Sequence, residues 1–164
     1  MRRCRGGGAA AVAVALLSPC TTVRGQNAVT IDSFIRRQAR NEHGEEYKDA
    51  RKVVVGDLNG DGIPDTVVLY TIEGQNLSNN YVQYLAVFVR SKTGLEAITH
   101  ATVGGKGFRS VELKAVHDKR IDIATMSYAP DDPMCCPSRK GLTHFVLAGR
   151  VLKEEANDQD GVRP

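Results

Sequence analysis

From residue 53 onward the hydrophobic residues of this chain recur with a period of two, which restricts the fold to one built on sheet. Runs rich in Val, Ile, Thr, Tyr and Phe occupy residues 53–55, 66–72, 81–89, 95–103, 110–116, 121–127, 143–147 and 151–153, separated by glycine, asparagine or charged residues. Connections as short as Ser91-Lys92-Thr93-Gly94, His117-Asp118-Lys119-Arg120 and Ala148-Gly149-Arg150 are too short for crossovers, so neighbouring runs should pair antiparallel. The expected topology is a meander of about seven or eight strands. Val111, Leu113 and Ala115 alternate with Glu112 and Lys114, which indicates one wet face, whereas 81–89 is apolar nearly throughout and belongs at the centre.

Ahead of the sheet, Ile31, Phe34, Ile35 and Ala39 fall at helical spacing and predict an amphipathic helix over 29–40, with Thr30 or Asp32 as its N-cap. Polar residues 41–46 then turn the chain. The expected fold class is mainly β, or α+β, with this helix packed on the sheet.

The first 25 residues read as an export signal: Arg2, Arg3 and Arg5 precede an apolar run over 9–17, and Val23 and Gly25 suit a peptidase cutting before Gln26. The apolar run is too short to span a bilayer, and the mature chain has no transmembrane segment. The expected location is periplasmic or secreted. Cys20 as a lipidated first residue is the minor alternative, since Leu17-Ser18-Pro19-Cys20 carries proline where lipoprotein signals usually carry Gly or Ala. Cleavage would remove Arg2, Arg3, Arg5 and Arg24 but no acid, taking the formal net charge from +3 to −1. The basic balance belongs largely to the signal, so nothing points to nucleic acid. Residues 26–154 read as one domain and 155–164 as a disordered polar tail.

The sharpest chemical signal is Asp57-Leu58-Asn59-Gly60-Asp61-Gly62-Ile63-Pro64-Asp65. Side-chain oxygens at positions 1, 3, 5 and 9, from Asp57, Asn59, Asp61 and Asp65, with the carbonyl of Ile63 at position 7, form a donor set suited to calcium. Gly62 supplies the sharp turn after the fifth position. The competing interpretation is a solvated Asx/Gly turn. A twelve-residue EF-hand loop would close with Glu where Val68 stands, and its flanks would be helical.

With Gly56 ahead of it and apolar residues behind, this run resembles the calcium loops of FG-GAP and VCBS repeat proteins. The resemblance implies a calcium ion held between adjacent strands. Those families use tandem copies, often as propeller blades, whereas this chain has one copy and no internal repeat, so a full propeller is not expected. The remainder, including Asn79-Asn80-Tyr81-Val82-Gln83-Tyr84, Val103-Gly104-Gly105-Lys106 and Met134-Cys135-Cys136-Pro137-Ser138, is similar to small exported bacterial proteins of uncharacterised function, a likeness that implies no activity.

The second candidate site is the proline-rich connection 128–141. Only Cys135 and Cys136 lie outside the predicted signal, and in an oxidising compartment their only intrachain partners are each other, so a vicinal disulfide is expected. A rigid knuckle for a partner, a redox couple and pairing with another chain are the three roles open to it. Asp131 and Asp132 read first as part of a solvated, charge-rich loop, the alternatives being partners for Arg139 and Lys140 or acids in a hydrolytic cleft, and the polar connection 74–80 is a candidate neighbour of the Asp57 loop. His43, His100, His117 and His144 form no metal pattern, and no nucleophile elbow, P-loop or dinucleotide fingerprint is present. The functional expectation is an exported calcium-binding interaction module that presents residues 134–138 to a cell-envelope protein or glycan. The alternatives are an exported thiol-disulfide or hydrolytic enzyme, or an inhibitor of a secreted hydrolase.

Overall fold

The computed structural model describes residues 20–156, with side chains over 26–155. The expected signal up to residue 19 and the tail beyond residue 156 lie outside the described residues. The helix α1 (Cys20–Asn41) is followed by β1 (Glu45–Glu46), β2 (Lys52–Gly56), β3 (Asp65–Glu73), β4 (Tyr81–Ser91), β5 (Gly94–Gly105), β6 (Arg109–His117), β7 (Arg120–Ser127), β8 (Arg139–Ala148) and β9 (Val151–Ala156). Because α1 begins before residue 29, Thr30 and Asp32 are interior rather than capping: the Thr30 hydroxyl donates to the Gln26 carbonyl, and Asp32 pairs with Arg51. At the other end, Glu154 and Glu155 are paired within β9, opposite Phe145 and His144.

The strands form one open antiparallel sheet in the order β1-β3-β4-β5-β6-β7-β8-β9, with β2 also paired to β3. This is the expected meander, neither a closed barrel nor a propeller. β1 and β2 are two pieces of one edge: β1 covers Ile72 and Glu73, and β2 covers the stretch from Asp65 to Leu69. A 3-10 turn at Lys48–Ala50 separates them. There Arg51 forks onto Glu46 and also reaches Asp32 of α1, tying edge, turn and helix together. The two carboxylates hold the Arg51 guanidinium well above its ordinary pKa, the Glu46 hydrogen bond being the largest cause.

Two cores lie on opposite sides of β3 and β4, which explains why these strands are apolar at successive positions. Val68, Tyr70, Ile72, Tyr84, Ala86 and Phe88 face Ile31, Ile35 and Ala39 of α1. Phe34 meets Phe88 edge-on at 5.3 Å between centroids. The alternate residues Val67, Leu69, Leu85 and Val87 face a second core with Val111, Leu113, Ile121, Ile123 and Phe145. Each such fully buried side chain contributes about 1.5–3 kcal/mol of gross hydrophobic stabilisation.

The second core requires the sheet to fold back on itself, and it does so between β5 and β6. These strands pair only at Gly105 and Arg109. Gly105 has φ +152°, and a Cβ there would lie 2.8 Å from the Tyr81 carbonyl oxygen. A Cβ on Gly104 would lie 2.7 Å from Gln83 Oε1 and 2.8 Å from the Arg109 carbonyl oxygen. Only glycine lets the backbone pass so close at this corner.

Candidate functional site

The Asp57 loop joins β2 to β3, whose pairing ends at Gly56 opposite Asp65. Leu58 anchors the loop in the second core, and Asp65 is fully buried beneath it. Asp65 Oδ2 accepts the Leu58 N–H at 3.1 Å and Oδ1 accepts the Arg90 N–H at 3.1 Å, so this carboxylate closes the loop base and ties it to β4. Gly60 and Gly62 have φ of +80° and +78°, the left-handed conformation glycine supplies without strain.

The remaining oxygens are held by the loop's own amides. Asp57 accepts the Gly60 N–H at 2.6 Å on one oxygen and the Gly62 N–H at 2.9 Å on the other. Asn59 Oδ1 accepts the Asp61 N–H at 2.9 Å, and Asp61 Oδ1 accepts the Ile63 N–H at 2.7 Å. The Gly62 N–H, and after it the Gly60 N–H, hold the Asp57 carboxyl below the usual carboxylate range, and Lys119 lowers it further through its charge.

Among the described residues, no three His, Cys, Asp or Glu side chains stand together at metal-binding spacing. The donor chemistry of the loop nevertheless suits a hard cation: three carboxylates, one amide oxygen and the Ile63 carbonyl, with no nitrogen or sulfur ligand. Each carboxylate oxygen that accepts one N–H retains another lone pair. Asp57, Asn59, Asp61 and Asp65, with the Ile63 carbonyl, are the residues that would hold calcium.

Lys119, in the turn between β6 and β7, is the residue the sequence pattern missed. Its Nζ would lie 2.4 Å from a Cβ placed on Gly60, so the ammonium rests against the loop. The close crossing of β2 over β6 brings it there: a Cβ on Gly56 would be 2.5 Å from Val116 Cγ1. Asp118 and Lys119 both have left-handed backbone, with φ of +48° and +64°. The one sequence signal was a tight hairpin connection without glycine.

The cysteine connection lies at the opposite end of the sheet, after β7 and before β8. Cys135 and Cys136 are bonded to each other, as expected from their adjacency. Asp132 organises this connection, accepting the Ala129 N–H at 2.7 Å, the Ser138 N–H at 2.8 Å and the Ser138 hydroxyl at 2.8 Å. Its carboxyl is held below the ordinary range, chiefly by the Ala129 N–H. Arg139 and Lys140, the alternative partners for Asp131 and Asp132, lie in β8, paired with Ser127 and Met126. The Tyr128 hydroxyl donates to the Met134 carbonyl at 2.8 Å, while the Met134 side chain is 75% exposed beside the two exposed cysteines.

The chain matches no family model, no curated protein and no solved structure. The connection 74–80 does not adjoin the Asp57 loop, because β3 begins at that loop and ends at Glu73, before this connection. It lies against the β5–β6 corner instead, where Lys106 Nζ donates to the Asn79 carbonyl. Among the described residues, no helix is long and apolar enough to cross a membrane.

Proposed function

We propose that this chain is an exported calcium-binding interaction module: one structural calcium held by the Asp57 loop, and a partner, a cell-envelope protein or glycan, met by residues 134–138. The observation that carries the calcium reading is the set of amide bonds to Asp57, Asn59 and Asp61, which orders an all-oxygen donor set within one short connection. The Asp57 and Asp61 carboxylates, held in one short connection, repel each other, and a divalent cation relieves that repulsion, so metal binding and folding are linked. Support for a binding surface comes from the knuckle. Its disulfide and the Asp132 bonds restrict the backbone while leaving Met134 exposed, which lowers the ordering cost of docking.

The test is the melting temperature of the full chain in EDTA, in excess calcium and in excess magnesium. A calcium response larger than that of magnesium, and absent from Asp61→Ala, supports the reading. No response to either ion, with no retained metal by mass spectrometry, overturns it.

A further inference from the structure

We propose that Lys119 is the resident cation of the Asp57 loop, a tethered competitor that sets how tightly the loop takes calcium. The inference rests on the calcium reading above and concerns its regulation. The ammonium approaches so close to Gly60 that a Cβ on that glycine would stand 2.4 Å from Nζ and 2.6 Å from Cε. That position is reached through a turn with two consecutive non-glycine residues in left-handed backbone, Asp118 and Lys119. His117 braces the turn, with one ring nitrogen 2.5 Å from Asp122 and the other 3.3 Å from Asp118. The exposed Lys119 side chain is therefore carried on a braced hairpin.

The Lys119 charge acts on the Asp57 carboxylate and so offsets part of the loop's negative charge when no metal is present. The same charge opposes an incoming divalent ion, and it must be outweighed or displaced. A groove of about 510 Å³ adjoins the loop and is lined by Leu58, Asn59, Asp118, Lys119 and Glu155. Asp118 and Glu155 give a displaced ammonium two other carboxylates to approach. Calcium binding at one connection thereby alters the β6–β7 turn and the groove beside it.

The test is calcium affinity of the full chain, measured against a competing chelator at low and high salt, for the wild type, Lys119→Gln, Lys119→Arg and Arg120→Gln. Like charges a few ångströms apart at a wet surface predict a roughly three- to tenfold tightening in Lys119→Gln, reduced at high salt. Lys119→Arg should bind as the wild type does, and Arg120→Gln should change affinity less than Lys119→Gln. Binding by Lys119→Gln alone, with none in the wild type, would also support the inference. Equal affinities for wild type and Lys119→Gln overturn it and leave the calcium reading standing. Absence of binding in both overturns the calcium reading, and the inference with it.

Discussion

The side chain of Gln83 on β4 stands in for a missing strand partner of Val111 on β6: Gln83 Oε1 accepts the Val111 N–H at 2.9 Å, and Gln83 Nε2 donates to the Val111 carbonyl at 3.2 Å. β5 leaves β6 at the Gly105 corner, so the Val111 peptide groups would otherwise lose their ladder inside the second core. One primary amide supplies both the acceptor and the donor that a neighbouring strand would have offered. Gly104 makes room for it, since a Cβ there would touch Gln83 Oε1.

Gln83→Ala should leave a buried N–H and C=O without partners and cost about 2–4 kcal/mol in urea unfolding. Gln83→Glu should be intermediate, because a carboxylate accepts from Val111 but cannot donate to its carbonyl. A loss below about 0.5 kcal/mol for Gln83→Ala would mean that water or a strand shift replaces the amide.

Asp65 and Asp61 should separate in EDTA. Asp65→Ala removes the acceptor of two amides at a buried position, for which a loss of roughly 2–4 kcal/mol is expected without any metal. Asp61 is exposed, and Asp61→Ala should melt close to wild type in EDTA while losing the calcium response. Equal destabilisation of both variants in EDTA would contradict this division between base and rim of the loop.

Arg51→Lys should not rescue Arg51→Met, because a lysine cannot reproduce the fork to Glu46 while reaching Asp32. Allowing for solvent screening of this partly exposed cluster, each variant should lose roughly 1–2 kcal/mol in urea unfolding. Full stability in Arg51→Lys would show that point charge alone suffices.

His117 should make stability pH-dependent with a definite sign. Asp122 first, then Asp118, hold its imidazolium above the ordinary histidine pKa of 6.5 in the folded chain. The charged form is therefore favoured by folding: its contribution is complete below the unfolded value and fades as pH rises through the folded value. The melting-temperature gap between wild type and His117→Gln should accordingly be widest at acidic pH and shrink on the alkaline side of 6.5. A gap that grows with pH would reverse the assignment.

Much of this architecture is legible in the sequence. Period-two runs with short connections indicated an antiparallel meander, the spacing of Ile31, Ile35 and Ala39 indicated the helix face, and adjacency indicated the Cys135 and Cys136 bond. The apolar 81–89 run marked a central strand, and β4 is indeed buried on both faces. Other features were hidden because they depend on groups far apart in the chain. A glutamine in an apolar strand carries no sign that it will serve residue 111, and an exposed-looking lysine in a hairpin carries no sign that it will rest on Gly60. Asp65 looked equivalent to Asp57 and Asp61 by spacing, yet its burial gives it a different duty.

The sequence by itself determined the helix face, the strands from residue 52 onward with their antiparallel order, and where oxygen donors and sulfurs gather, but not the short edge strand at 45–46, which reads as a turn. These properties follow from hydrophobic period, turn length and residue chemistry acting over a few positions. Tertiary structure alone decided that the sheet folds back at Gly104 and Gly105, that Gln83 completes β6, and that Lys119 meets the Asp57 loop. Those relationships arise where apolar surfaces from distant strands must be buried together, and the backbone can approach closely enough only at glycine.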